Sequence, residues 1–490
     1  MYLRHLTVEH LKRLARFELD FTHQGKPRMW TVFIGENGTA KTTLLQAVAL
    51  AAAGSKQVNT LVGPAVKYLR DRRSERPMEI SATFDFSEMT VTQRAKYLPL
   101  SAGHQTNELS SWVGLQPKST ALDAHAAYGT GERARLRGRV NRIQKMGLPD
   151  PLDAARSTNT PHWFVAGYGI SRALPDANMI PTLARPSLER LEPLFGPFGL
   201  VSTGFANHFL RKDAEEGRRA GTTSRRFSKV LKQAMKLGGA DLFPDLVNFE
   251  LRGYGGAKSS HALIESDRFS QRMAKGQEAV AIAGVALSHG YQSTFAWIAD
   301  LIGHVLLEAK TQELKTTEME GLVLIDEIDL YLHPTWQANF IPALRRVFPK
   351  MQFIATTHSP VVLSSLAPHE IVRLVVDPTS GDIVQGGWSS EQGQFEPGIQ
   401  NLDHQPDPRM MTGGELYRTW FGLEGTTPNP LGDELRRYQL LLTHPSPTPF
   451  QREERRALKA ELLKSLEARL GKSEGRKAFR EFEQNARQTT

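Results

Sequence analysis

The sequence predicts an α/β fold organised on a phosphate-binding loop, with helical insertions and a helical C-terminal tail. Three observations carry that expectation. The apolar run Trp30–Ile34 leads into Gly35-Glu36-Asn37-Gly38-Thr39-Ala40-Lys41-Thr42-Thr43 and then into the apolar stretch 44–53, the order of strand, glycine-rich loop and helix. Residues 321–327 (GLVLIDE) and 352–360 (QFIATTHSP) are near-continuous apolar runs ending in polar groups, as strands of a parallel sheet buried on both faces do. From about 387 the chain turns to Gly, Pro and Gln and then to charged helical segments.

The loop has the parts that phosphate binding needs. Its N–H groups converge on phosphate oxygens, the helix N-terminus adds its dipole, Lys41 neutralises charge and a hydroxyl reaches Mg2+. Ala40 stands where the motif G-x-x-x-x-G-K-[ST] has its second glycine. An alanine held there at positive φ costs roughly 1–2 kcal/mol.

Taken in order, residues 3–8 and 17–21 alternate apolar and polar, so two or three strands precede the loop. A polar, basic segment at 68–76 and a strand at 79–86 follow the first helix. Between 87 and 160 the periodicity is lost and Gly, Ser and charge accumulate, the pattern of an insertion with some helix. Residues 163–169 read as a short buried strand returning to the central sheet, and its loop offers Ser171 and Arg172. Residues 176–275 mix helical stretches with Gly/Pro turns, and no heptad repeat supports a long coiled coil. Helices are expected at 293–307 and 342–347, and in the tail at 414–421, 433–442 and 449–470. Leu458, Leu462, Leu463 and Leu466 recur at helical spacing in the last of these, as a packing face. The domain reading is therefore 1–86, the N-terminal part of the core with the loop; 87–275, an insertion lobe with a core strand near 163–169; 276–386, the C-terminal part of the core; and 387–490, a helical tail.

Composition narrows the function classes. The 490 residues suffice for two or three domains, and the absence of cysteine excludes disulfides, thiolate metal sites and a cysteine nucleophile. The N-terminus lacks the apolar core of a signal peptide, and no apolar run approaches the ~18 residues of a membrane span, so a cytoplasmic protein without a membrane partner is expected. The net charge is +9, concentrated at 133–145 and 211–236. These stretches are either a DNA or RNA surface or solvated helix faces. Without interleaved aromatics, phosphate contact rather than base stacking is the mode they suit.

Asp326 and Glu327 close a buried strand, where one acid can support a metal ion and the next can polarise an attacking water. His358 follows the next such strand, where a neutral imidazole could bond to phosphate or water; alone it would be an ordinary turn histidine. Leu287-Ser288-His289-Gly290-Tyr291-Gln292-Ser293 opens a helix and forms a second phosphate-binding terminus.

That last stretch looks like the L-S-x-G-x-Q signature of ABC-type ATPases, which is presented in trans across a head-to-tail dimer. With residues 35–43, 322–327 and His358, the chain resembles the RecF/SMC-like branch of that class. The runs 324–334 (LIDEIDLYLHP) and 356–360 (TTHSP) resemble AAA-family ATPases of bacterial defence and repair. The resemblance implies a P-loop NTPase fold of ABC/RecF type with a mixed central sheet, and ATP and Mg2+ as cofactors. It assigns Gly35, Glu36, Asn37, Gly38, Thr39, Ala40, Lys41, Thr42 and Thr43 to the nucleotide, Thr42 and Asp326 to Mg2+, Glu327 to the base and His358 to the switch. Ser288 and Gly290 would contact the γ-phosphate held by a second subunit, and Asp329 and His333 would face that subunit. A Q-loop glutamine is missing from the loop after residue 169.

Among relatives, the chain lacks the coiled coils of SMC proteins and the strand-borne acids of a Toprim nuclease. Its size, compact insertions and tail with residues 423–432 look most like the ATPase component of Septu-type anti-phage systems, retron-associated forms included. That resemblance implies head-to-tail dimers, an HNH nuclease partner and the tail as its docking region. A RecF-like repair ATPase that binds DNA directly, or a nucleotide-bound scaffold with slow turnover, are the alternatives.

Overall fold

The computed structural model describes residues 1–85, 108–129, 150–157, 163–172, 183–196, 222–251, 268–272, 278–308, 314–390, 394–399, 405–422, 431–444 and 446–488, with a few single positions between them. The chain forms two compact units, Met1–Met411 and Thr412–Thr490.

In the first unit, strands β1 (Tyr2–Leu11) and β2 (Leu14–Asp20) form a hairpin, and β3 (Trp30–Ile34) enters the loop that ends at helix α1 (Lys41–Ala53). Strands β4 (Met78–Asp85), β5 (Glu108–Leu115) and β6 (Asp123–Tyr128) complete an antiparallel sheet in the order β2-β1-β4-β5-β6. The core sheet thus continues beyond position 86, where the sequence suggested an insertion. β5 escaped notice because it is buried almost throughout, with Ser110 and Ser111 among its inward residues, so its hydrophobicity does not alternate. The stretches 86–107 and 130–149, and with them the basic run at 133–145, lie outside the described residues.

Strand β7 (Val165–Tyr168) lies within the segment read as the insertion lobe. Beyond it come helix α2 (Thr222–Gly238) and a separate sheet of β8 (Leu246–Glu250), β9 (Arg268–Gln271) and β10 (Val280–Ala283), the last of which falls past the boundary read at 275. Helix α3 (His289–Glu308), strand β11 (Gly321–Ile325), helix α4 (Pro334–Val347), strand β12 (Met351–Thr356), the short helix α5 (Pro360–Leu363) and strands β13 (Ile371–Val376), β14 (Ile383–Ser389) and β15 (Gln394–Pro397) follow. The central sheet has seven strands in the order β15-β14-β13-β3-β12-β11-β7. It is mixed: β7, β11, β12, β3 and β13 run parallel, while β14 and β15 are antiparallel additions. β3, β11 and β12 are buried at every position, the expected pattern for strands covered on both faces. β14 and β15 extend the core past the boundary read at 386, and the first unit closes at Met411.

Helix α1 is buried almost all round, because it lies between the two sheets and touches strands of both. Its residues join one continuous core with β1, β4 and β12. That position explains the absence of an amphipathic pattern in 44–53, since a helix enclosed on every side needs no polar face. Gln352, fully buried in β12, joins the sheets at one edge by accepting from the Leu3 amide at 2.6 Å and donating to the Leu3 carbonyl at 3.0 Å.

The parallel register sets where chemistry can occur. Ile325 pairs with Tyr168 and with Ala355, and Ala355 with Val32, so β7, β11, β12 and β3 end together. Their C-terminal ends bring residues 169–172, 326–327, 357–358 and 35–43 to one edge, the edge at which such sheets bind ligands.

The second unit contains α6 (Gly413–Phe421), α7 (Gly432–Thr443), α8 (Pro449–Leu470) and α9 (Lys472–Gln488). Leu458, Leu462, Leu463 and Leu466 of α8 pack with Leu431, Tyr438 and Phe479, the face that their spacing anticipated. α9 was not foreseen: its apolar residues are few, and Phe479 and Phe482 supply its packing. Among the described residues, no helix is long and apolar enough to cross a membrane.

Candidate functional site

A cleft of about 300 Å3 opens at the shared strand edge, lined by Asn37 to Thr43, Asp326, Glu327, Thr356 and His358 together with Lys12, Arg13 and Ile383. The fold thus brings together residues separated by more than three hundred positions.

The loop itself is tightly specified. Gly35 has φ +153°, and a Cβ there would lie 2.6 Å from the Leu374 carbonyl, so no larger residue fits where β3 meets the loop. Lys41 folds back and donates to the carbonyls of Gly35 and Glu36, both at 2.8 Å. Burial lowers its pKa, and the nearby carboxylates of Asp326 and Glu327 oppose that shift. Ala40 adopts φ 61° and ψ 21°, the left-handed conformation inferred from its place in the motif. Replacing it with glycine removes roughly 1 kcal/mol of backbone strain. Ala40→Gly is therefore expected to raise the unfolding midpoint of this unit by about 1–2 °C in calorimetry, and a lowered midpoint would contradict the strain.

At the end of β11, Asp326 receives two hydroxyls. Thr42 donates to its Oδ2 at 2.7 Å and Thr356 to its Oδ1 at 2.6 Å. The same Thr356 hydroxyl accepts the Glu327 amide at 2.7 Å, so one threonine orders both acids. A hydroxyl and a carboxylate meeting beside the loop lysine are the donor set that Mg2+ held with a nucleotide requires, and the residues present fit that ion. The carboxylate of Asp329 accepts from the Thr357 hydroxyl, and Gln337 links Leu332, through its carbonyl, to Ser359. His358 faces the open cleft. Partial burial and the Lys41 ammonium lower its pKa, against the opposing pull of Glu327 and Asp329, which keeps the imidazole neutral at physiological pH.

Ser288 and Gly290 do not line this cleft. Ser288 is exposed just before α3, whereas Gly290 is buried in its first turn. A Cβ on Gly290 would lie 2.6 Å from the Tyr331 carbonyl, so glycine lets the helix start pack directly on the segment after the acidic pair. His333 caps α4, bonding to the Thr335 side chain at 2.9 Å through Nδ1.

Lys12, Arg13, Thr356 and Arg172 were not identified as site residues from the sequence. Lys12 donates to the Thr43 hydroxyl at 3.2 Å from a tight turn between β1 and β2. Basic residues in a hairpin turn carry no signal of their own. Thr356 lay within the recognised TTHSP run, yet its bridging role depends on register. Of the second basic run, the described part is mainly α2, where Arg225, Lys229, Lys232 and Lys236 recur at i, i+4, i+7 and i+11 and are all exposed. Lys232 also lies over the Phe249 ring at 5.6 Å.

A mixed sheet that presents a phosphate loop, an acidic pair and a histidine on one edge, beside an antiparallel sheet sharing the loop helix, defines the P-loop NTPase fold of ABC/RecF type. Residues 170–364 match the family described as "AAA domain, putative AbiEii toxin, Type IV TA system". Over 464 residues, 94% of the chain, the sequence is 25% identical to Septu protein PtuA of Bacillus mycoides (strain KBAB4), and the match spans 50% of that protein. It is 42% identical over 132 residues to Septu protein PtuA of Bacillus thuringiensis, 25% of this chain and 33% of the other. A 92-residue stretch, 19% of this chain and 17% of the other, is 41% identical to Retron Ec83 probable ATPase of Escherichia coli. The resemblance to a Septu protein thus extends over nearly the whole chain, whereas that to the retron ATPase is confined to a 92-residue stretch. The chain spans half or less of the length of these curated relatives.

Proposed function

We propose that the protein binds and hydrolyses ATP as a subunit of an anti-phage defence complex, and that a head-to-tail dimer sandwiching ATP controls an associated HNH-type nuclease. The observation that carries the reading is the convergence of Lys41, Thr42, Asp326, Glu327 and His358 on one cleft. The similarity to Septu and retron proteins supports the biological setting.

In this reading the loop amides and Lys41 hold the β- and γ-phosphates, Lys41 exchanging its two carbonyl bonds for phosphate oxygens. Thr42 and Asp326 would hold Mg2+, which would supply charge neutralisation at the phosphate oxygens. Glu327 accepts a proton from the attacking water, and neutral His358 orients that water or the γ-phosphate. Ser288 stands outside its own chain's cleft and is exposed, which leaves it open to meet the phosphate of a second copy. ATP is expected to double the mass of the Glu327→Gln variant in light scattering, and adding Ser288→Arg should cancel that doubling. A mass that does not respond to ATP would sink the sandwich.

The exposed basic face of α2 favours a second reading, direct binding of nucleic-acid phosphates. Here DNA affinity should fall steeply as salt rises, and Ala at Arg225, Lys229, Lys232 and Lys236 should flatten the salt slope by roughly 0.9 for each phosphate no longer neutralised. An unchanged slope would remove the face from consideration.

A further inference from the structure

We infer that Arg172 is a positioning residue for hydrolysis: its guanidinium holds the Asp326–Glu327 turn in the conformation that presents Glu327 to the cleft. The inference rests on Glu327 being the base. Glu327 has φ 47°, a left-handed conformation that costs a residue with a Cβ roughly 1–2 kcal/mol and persists only where its surroundings over-determine it. Arg172 supplies two of the bonds that do so. Its Nη1 donates to the Asp326 carbonyl at 2.9 Å and its Nη2 to the Glu327 carbonyl at 2.6 Å, so one rigid fork spans two consecutive peptide groups.

The position makes little sense as packing alone. Arg172 is 3% exposed, and its buried Nε has no acceptor among the described residues. Enclosing a guanidinium is costly, and here its two charged donors are matched to the backbone carbonyls of Asp326 and Glu327. What only arginine offers here is a pair of charged donors at the spacing of successive carbonyls. Burial pushes its pKa down to about 10, so it remains charged at neutral pH. Its own backbone is anchored at the end of β7, where the Arg172 amide donates to Ile170 and the Asp326 amide donates to Tyr168 at 2.8 Å. Strand β7 thus delivers the fork to the end of its neighbour β11.

The test uses the full chain with ATP and Mg2+. Arg172→Gln is expected to lower kcat about 100-fold, the scale of a misplaced catalytic group, while ATP affinity stays within threefold. Arg172→Lys, able to reach one carbonyl at a time, should fall between. Because Arg172 acts through Glu327, adding Arg172→Gln to Glu327→Gln should cause no further loss. A kcat within threefold of wild type, additive losses in the double variant, or loss of ATP binding or folding in both Arg172 variants would each overturn the inference. If Glu327→Gln itself turns over normally, the assignment of the base fails first and takes the inference with it. Failure of the inference alone would appear as inert Glu327→Gln beside normal Arg172 variants.

Discussion

Glu327→Gln is expected to lower ATP turnover about 1000-fold while leaving ATP bound. The substitution is nearly isosteric, and the turn that carries it is fixed through its backbone by Thr356 and Arg172 rather than through its side chain. What disappears is the proton acceptor, and a positioned general base contributes typically about 10²–10⁴-fold. Affinity should persist, because Lys41, the loop amides and the Thr42–Asp326 pair are untouched. Phosphate release measured beside equilibrium ATP binding separates the two quantities. Turnover within tenfold of wild type would show that Glu327 is not the base and would favour a nucleotide-bound scaffold, whose cleft holds ATP without needing an acceptor.

Lys41→Ala is expected to weaken ATP binding about 100-fold. The ammonium lies at the centre of the loop, and charge-assisted bonds of its kind contribute about 1.5–3 kcal/mol each, with a tenfold change in affinity for every 1.4 kcal/mol. Its present partners, the carbonyls of Gly35 and Glu36, show that the side chain already lies across the loop. Removing it leaves those carbonyls facing incoming phosphate with no ammonium between them. Calorimetric titration with ATP checks the outcome, and binding within threefold of wild type would mean that the cleft holds phosphate by other groups.

The legibility of the fold followed burial. β3, β11 and β12 are covered on both faces, so their apolar runs were visible without knowledge of their partners, and the residues that close them became visible too. Ala40 was readable because the loop motif imposes a backbone conformation regardless of context. β5 and β6 were not readable, since small and polar residues buried between strands look like loop. β14 and β15 hid within a Gly-rich stretch whose glycines serve close packing: a Cβ on Gly387 would lie 2.3 Å from the Ile399 carbonyl. In the site, Lys41, Thr42, Asp326, Glu327 and His358 converge as their motifs suggested. Arg172 was noticed as a side chain that its loop offers, but its role, like that of Lys12, became visible only once register and turn geometry placed it.

Helix α1 has a further consequence. The helix whose first residues line the cleft is also the shared core of both sheets, so neither sheet can unfold without exposing it. Ligand binding at the loop is therefore linked to the folding equilibrium of the whole surrounding body, not to a local lid. If ATP binds there as proposed, ATP at 100 times its dissociation constant should add about 2.7 kcal/mol to that equilibrium, and the antiparallel sheet should gain that protection together with the central one.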